Sequence, residues 1–365
     1  MKPDFVSIYR YSIPFVRPVP VRRSSLGARD GLVIGIGTAD GRHTGFGEVA
    51  PLPGLHEETL SEALGQCRET LPSIAGSQGA HSLEDAGNDL PERLCPSVRC
   101  GIEMALLNFQ AAVYGRQPSF PGAQGPSDRL PLNALLFGNT RAVLSMAEEH
   151  FRQGYRTFKL KVRSSEPDIA VEQALALYSA YGDDIELRLD SNRTFTLDEA
   201  CMFFGRIPPG AVMYVEEPLV DPFLIPEFFE RTGIPAALDE SLWMTSGIWN
   251  SLPHDCLGGL VLKPSRIGSF SKTLRFALEA EVEGIPAVVS SAFETGVGIG
   301  FYARFASMLS AHPAACGLDT FRQLERDILK SPFRVENGCL LVGEAYAGSL
   351  DPDLTNLEPV ETWTL

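Results

Sequence analysis

The chain carries 31 basic and 46 acidic side chains over 365 residues, a net charge of −15, and is 44% apolar. That balance excludes a nucleic-acid partner, which needs a basic footprint, and no run reaches the roughly 18 apolar residues of a membrane span. The length accommodates one large barrel domain plus a smaller one. The opening MKPDFVSIYRYSIPF lacks an apolar core followed by a small-residue cleavage site, so the expected location is the cytoplasm. Seven cysteines form no CxxC pair and are odd in number, which predicts buried thiols in a reducing compartment rather than a disulfide framework.

Residues 1–125 read as an α+β unit. The stretches FVSIYRYSIPF and DGLVIGIGTADGRHTGFGEVA alternate apolar with polar or small residues, predicting antiparallel strands joined by a loop over RPVPVRRSSLGARD, residues 17–30. Helical patterns follow over 58–71 and 96–115, the second stopped by Gly115 and Pro118. The Pro/Gly/Ser-rich segment 116–128 marks the expected boundary. Beyond it, apolar runs at 132–137, 157–162, 185–190, 212–217, 235–239, 258–263, 286–291 and 315–319 alternate with helical patterns. Strands alternating with helices predict right-handed βαβ units, and eight of them can close a barrel over residues 126–334. Thr196 and Glu199 form a T-x-x-E start signal for the helix after the third strand. The tail, 335–365, is expected to return to the first domain.

Five of the barrel runs end in charge: Lys161 in FKLKV, Asp190 in IELRLD, Glu216 in MYVEEP, Asp239 in PAALDE and Lys263 in LGGLVLKP. Their steps of 29, 26, 23 and 24 residues match one strand-plus-helix unit. At the C-terminal end of barrel strands, charged residues read as catalytic. A lone strand-end carboxylate is as often a cap for the next helix. Three in consecutive units repel one another unless a cation sits among them, and oxygen ligands without suitably spaced histidines select a hard ion, Mg²⁺ over Zn²⁺.

Lys159 and Lys161, two apart on a strand, share one face. A K-x-K pair is usually an exposed edge feature, but Phe158, Leu160 and Val162 argue for a buried strand. Crowded positive charge is expected to lower a lysine pKa toward the range of a general base. Lys263, on the sixth strand, lies across the barrel from Lys161. Opposed lysines beside a metal suit removal of a proton α to a carboxylate, the metal holding the resulting enediolate. Arg188 should share the inward face of Asp190 and needs an anion, either Glu216 or a substrate carboxylate. Asn192 is either a loop residue or a substrate contact. Gly296, Gly298 and Gly300 open a helix after the seventh strand and predict a place for a carboxylate, whereas their spacing fails as a dinucleotide fingerprint.

The K-x-K of FKLKV, DSN of LRLDSNRTF, EEP of YVEEPL, DES of ALDESLW and KPS of VLKPSRIGS resemble, in order and spacing, the signature series of the enolase superfamily in its muconate-lactonising subgroup. Within that subgroup, LRLDSNR, VLKPSRIGS, VVSSAFETGVGIG, CGLDT and GEVAPLPGLHEETL are similar to the o-succinylbenzoate synthase family. The resemblance implies a (β/α)₇β barrel of the TIM type under an α+β capping domain built from both termini. It implies a lyase that dehydrates 2-succinyl-6-hydroxy-2,4-cyclohexadiene-1-carboxylate to 2-succinylbenzoate in menaquinone biosynthesis. Lys161 would be the base and then the acid, Lys263 a cation–π stabiliser, and Lys159 an electrostatic aid. Asp190, Glu216 and Asp239 would hold Mg²⁺, with Mn²⁺ able to substitute. The backbone at Ser290 and Gly317 would receive the succinyl carboxylate, and loops 17–30 and 50–55 would close over the substrate. Arg188 and Asn192 complete the expected substrate set, and the partner is a small carboxylate.

Two rivals share this subgroup and its lysines. An N-acylamino acid racemase or dipeptide epimerase needs a lysine on each face of an enolate, but dipeptide recognition commonly adds a D-x-D pair after the eighth strand, where Cys316–Thr320 offers Asp319 alone. A muconate-type cycloisomerase is the other. A non-catalytic metal-stabilised binding protein would have lost catalytic groups, and all five are present.

Overall fold

A computed structural model describes residues 2–21, 24–74, 90–162 and 165–364. Strands β1 (Phe5–Val21), β2 (Ser24–Gly37) and β3 (Thr44–Val49) form an antiparallel meander. The segment expected as a loop over 17–30 is largely strand: Val19 pairs with Leu26 and Val21 with Ser24 beyond an irregularity after Pro14. Extended Pro-Val alternation tolerates this at a sheet end, where a missing N–H breaks no central ladder. The segment expected as a loop is therefore mostly paired strand, and residues 22 and 23 lie outside the described residues.

Helix Pro96–Tyr114 lies directly on β3. A Cβ at Gly45 would stand 2.0 Å from Phe109 N, and one at Gly47 would stand 2.0 Å from Gly101 O. The glycines of TGFGEV thus let helix and strand backbones approach, and Val98, Ile102, Leu106 and Phe109 enter a common core. Full burial of each such side chain is worth roughly 1.5–3 kcal/mol relative to exposure.

Strand β4 (Arg129–Pro131) precedes seven parallel staves: β5 (Asn133–Leu136), β6 (Thr157–Lys161), β7 (Glu186–Asp190), β8 (Tyr214–Glu216), β9 (Ala236–Leu238), β10 (Leu257–Leu262) and β11 (Ala287–Val289). The eighth run contributes only isolated parallel bridges, Leu132 with Cys316 and Ser290 with Gly317. Those bridges join the two edges of the seven-stranded sheet and close it into a barrel, so the (β/α)₇β fold with its α+β cap is the one observed. The start signal at Thr196 is a complete capping box, with Thr196 accepting from Glu199 N–H and Glu199 from Thr196 N–H.

Strands β12 (Val335–Glu336) and β13 (Cys339–Leu341) pair with β4 in a three-stranded sheet that the sequence patterns did not reveal. Helix Val342–Ser349 then packs on helix Gly296–Ala306, and Tyr346 OH donates to Asn108 of the cap helix at 2.8 Å. The element that returns to the first sheet is β14 (Glu358–Thr364), antiparallel to β1. All seven cysteines are free; Cys67, Cys100, Cys256 and Cys316 are buried, while Cys95, Cys201 and Cys339 are half-buried. Among the described residues no helix is long and apolar enough to cross a membrane.

Candidate active site

Parallel register assembles the charged groups. Lys161 aligns with Asp190 and Asp190 with Glu216, while Glu216 aligns with Ala237, two residues before Asp239. Asp190, Glu216 and Asp239 are each no more than 1% exposed. Lys159 Nζ lies 2.8 Å from Asp190 Oδ2 and 2.6 Å from Glu216 Oε2, joining two carboxylates through one ammonium. Lys161 Nζ reaches the same Asp190 oxygen at 2.5 Å and Asn192 Oδ1 at 3.3 Å. Lys263 Nζ donates to Asp239 Oδ2.

Electrostatics follow from that packing. Burial pulls Lys159 down, yet Asp190, Glu216 and Asp239 outweigh it and hold the ammonium well above its ordinary range. Lys263 is raised in the same way, burial being overcome by Asp239, Glu240 and Glu216. At Lys159 the expected lowering is therefore reversed, because its ammonium faces three carboxylates. Burial raises Asp190, but Lys159 and Lys161 overcome this and keep it well below the carboxylate range. Asp239 goes the other way, pushed up by burial and by Glu240 and Glu216 against the opposing charges of Lys263 and Lys159.

Among the described residues no three His, Cys, Asp or Glu side chains stand arranged to hold a metal ion. The reason is visible: Lys159 occupies the point between Asp190 and Glu216, and Lys263 is turned onto Asp239. The donor chemistry nevertheless fits a hard divalent cation. All three groups are carboxylates on successive staves, and Asp239 Oδ1 is buried without a hydrogen-bond partner.

Arg188 lies elsewhere than expected. It is 1% exposed, its Nη1 donates to Ala315 O at 2.7 Å, Nη2 is 3.6 Å from Glu186, and the guanidinium lies over Tyr214. Glu216 is taken by Lys159, so Arg188 fills the barrel interior and offers no surface to a substrate. Asn192 braces Lys161: its Oδ1 accepts from Lys161 Nζ and its Nδ2 donates to Glu240 Oε1 at 3.4 Å, with φ of +47°. At the eighth stave the backbone is committed, Ser290 N–H to Leu262 O, Gly317 N–H to Val289 O and Ser291 N–H to Gly317 O. The Ser290 hydroxyl, 3.5 Å from Gly317 O, is the group there that can turn toward a ligand.

The helix-opening glycines do not form an anion site either. Gly296 N–H donates to Asp327 Oδ1 at 3.0 Å and Gly298 N–H to Glu48 Oε2 at 2.8 Å, so the protein's own carboxylates fill the helix N-terminus. A Cβ at Gly300 would stand 2.2 Å from Ala345 O, which makes that glycine a packing residue.

Sequence reasoning passed over Glu217 and Glu240. Glu217 is fully buried and accepts from Asp239 N–H, Ser241 N–H and Ser241 Oγ. The doubled acids of EEP and DES were the available signal: the first of each pair faces the site and the second braces the loop beside it.

Residues 142–348 match the family described as enolase C-terminal domain-like, and residues 4–109 match the one described as MenC, N-terminal domain. The chain belongs to the enolase superfamily. Its relatives include the o-succinylbenzoate synthase of Pasteurella multocida, 30% identical over 88% of this chain and 91% of that one. The o-succinylbenzoate synthase of Aliivibrio fischeri strain MJ11 is 32% identical over 86% and 89% respectively. Solved structures of the same fold include the L-Ala-D/L-Glu epimerase of Bacillus subtilis, with a TM-score of 0.80 at 20% identity over 99% and 100% of the two chains. A superfamily member from Roseovarius nubinhibens complexed with magnesium has a TM-score of 0.82 at 18% identity over the full length of both. This superfamily member is an enzyme of the lyase class.

Proposed function

We propose that the protein is an o-succinylbenzoate synthase, removing water from 2-succinyl-6-hydroxy-2,4-cyclohexadiene-1-carboxylate to form 2-succinylbenzoate in the cytoplasm. The observation that carries this reading is the asymmetry of the three lysines. All three rest on buried carboxylates, but Lys161 is 39% exposed, whereas Lys159 and Lys263 are 13% and 11% exposed. One amine is thus accessible for proton transfer, and two are fixed as charges.

In its free form Lys161 takes the proton α to the ring carboxylate. As an ammonium it then returns that proton to the hydroxyl leaving from the same face, so the C–H and C–O bonds break and one water departs with the base regenerated. Asp190 and Asn192 hold Lys161 in place. Lys159 holds positive charge beside the substrate carboxylate, and Lys263 supports the delocalised ring anion through a cation–π contact. Asp190, Glu216 and Asp239 would hold Mg²⁺, with Mn²⁺ able to substitute. A bound cation would supply positive charge to counter the negative charge developing on the carboxylate as its α proton is lost. Ser290 Oγ, beside Gly317, is assigned to the succinyl carboxylate. Aromatisation supplies much of the driving force, so a modest site suffices.

A racemase of N-acylamino acids is the second reading, favoured by the epimerase neighbours and by lysines on both sides. Dipeptide epimerisation is less well supported, because Asp319 is spoken for by Tyr155 OH at 2.7 Å and Arg322 Nε at 2.9 Å. The test is to supply purified enzyme and Mg²⁺ with the cyclohexadiene substrate and, separately, with N-succinylamino acids. Formation of 2-succinylbenzoate supports the synthase; racemisation with no dehydration rejects it.

A further inference from the structure

Lys263 has two neighbours of different kinds. Its ammonium donates to Asp239 Oδ2, and it also stands 5.7 Å from the ring centre of Trp243. The guanidinium of Arg266 lies over the same indole at 5.4 Å. Indole attracts a cation to its face more strongly than the other aromatic side chains, and both separations fall inside the range of about 6 Å over which that attraction acts. Among the described residues Asp239 is the one side chain that accepts a hydrogen bond from Lys263, so the ring is its second favourable contact.

The indole stands on a braced element. Trp243 belongs to the short helix Ser241–Met244, which follows β9 and packs on the short helix Pro264–Ile267 that Lys263 opens. Its first residue is held by Glu217, which accepts from Ser241 N–H at 2.7 Å and from Ser241 Oγ at 2.6 Å. Its last is held by Arg193, whose Nη1 lies 3.3 Å from Met244 Sδ. Loops from the third and fourth staves thus fix the ring without help from a ligand. The indole Nε1 is buried and among the described residues has no hydrogen-bond partner. Phenylalanine or methionine would fill the gap between the two helices without leaving a buried donor unpaired. Bulk alone therefore does not account for tryptophan at this position, whereas the attraction of its face for a cation does.

We propose that Trp243 is a positioning residue for Lys263, its ring giving the ammonium a seat that does not depend on Asp239. Asp239 is asked to serve twice, as the acceptor for Lys263 and as an oxygen donor to a divalent cation. A carboxylate shared between two cations holds each less well, because the cations repel. With the indole face beside it, the lysine keeps a favourable contact when Asp239 turns to the metal. Without the ring it either competes for the carboxylate or leaves its place at the site. The inference rests on the reading of Asp239 as a metal ligand.

Three measurements test this on the full-length protein. In the metal-free state, the indole N–H resonance of Trp243, identified by its loss in Trp243→Phe, should shift in Lys263→Met while those of Trp249 and Trp363 stay in place. An unmoved resonance overturns the contact whatever the reaction is. Mg²⁺ titrated into Trp243→Met should bind about tenfold more weakly, the size of a partly desolvated cation–π contact, and Trp243→Phe, which keeps a weaker face, should lose less. In a Lys263→Met background the same changes at Trp243 should leave Mg²⁺ affinity unmoved. Equal losses with methionine and phenylalanine, or a loss that persists without Lys263, overturn the proposal and make the indole a packing residue. Trp243→Phe in the two backgrounds gives the comparison by itself if the methionine protein does not fold. In dehydration assays at saturating Mg²⁺, Trp243→Met should lower kcat about tenfold and change KM by less than about twofold, since Lys263 acts on the anion formed during reaction. A rise in KM with kcat unchanged overturns the positioning role. An unsubstituted protein that takes up no Mg²⁺ sinks the metal reading instead, and the resonance shift then decides the contact alone.

Discussion

Glu217 receives the backbone N–H of Asp239 at 2.7 Å. The acid beside one stave's site residue thereby fixes the turn carrying the next stave's site residue, and the same carboxylate takes Ser241 N–H at 2.7 Å and Ser241 Oγ at 2.6 Å. Glu217 sits at φ of +46°, a conformation costly for a residue with a side chain. Glu217→Ala leaves these buried donors unpaired, at about 1–3 kcal/mol each. Urea denaturation should show a loss of about 3 kcal/mol or more, and Glu217→Gln, which keeps one acceptor oxygen, a smaller loss.

Lys161→Ala should lower the dehydration rate by about 10²–10⁴-fold, the usual contribution of a general acid–base group. Isothermal titration should find Mg²⁺ affinity little changed, since the lysine is not among the oxygen donors. Equal loss of metal binding and rate would show that Lys161 is structural.

Asp190→Asn should act on the metal. Mg²⁺ affinity measured by titration should fall at least tenfold, and a chelator should abolish turnover by the unsubstituted enzyme until Mg²⁺ is restored. Persistence of full activity after exhaustive chelation would remove the cation from the reaction.

Glu103 offers a pH test away from the site. It is fully buried in the cap helix, accepts Phe270 N–H from the barrel at 2.8 Å, and its second oxygen, without a hydrogen bond, lies 3.8 Å from Arg99 Nη1. Burial pushes its pKa up to about 7, against the opposing Phe270 N–H and Arg99. A carboxyl raised on folding binds more protons in the native state between its unfolded value and about 7. Its contribution is therefore complete at low pH and is lost as pH rises through about 7. Stability measured by urea denaturation should carry a negative component over that window, up to about 3 kcal/mol for a shift of this size. Glu103→Gln should remove it.

Thr196→Ala should cost about 1 kcal/mol by loss of the capping box on helix Leu197–Phe204, with kcat unaffected. A larger loss accompanied by reduced turnover would mean that the helix start also shapes the loop of Asn192.

The eight apolar runs, their boundaries to within a few residues, the barrel class and the five charged strand ends were legible because each is a local property. A stave buried on both faces must be apolar along its length, and a charge at its end must leave the core, so both appear in a short window. Partner choice was not local. Arg188 and Asp190 share a strand and a face, yet one reaches Ala315 in the barrel interior and the other meets two lysines at the rim. The glycines after the seventh stave looked like a ligand cradle, and only the cap's Glu48 and the neighbouring Asp327 show why those N–H groups are already filled.

From residues alone came the alternation of staves and helices and the placing of lysines and carboxylates at successive stave ends, since burial period and chain spacing are written in neighbouring positions. Folding in three dimensions decided which ammonium rests on which carboxylate, that Arg29 ties its strand to the Ala50–Pro51 turn and to Phe293, and that β14 joins the first sheet. Those pairings join residues tens to hundreds of positions apart, and their energies depend on burial and distance, which no short stretch of sequence contains.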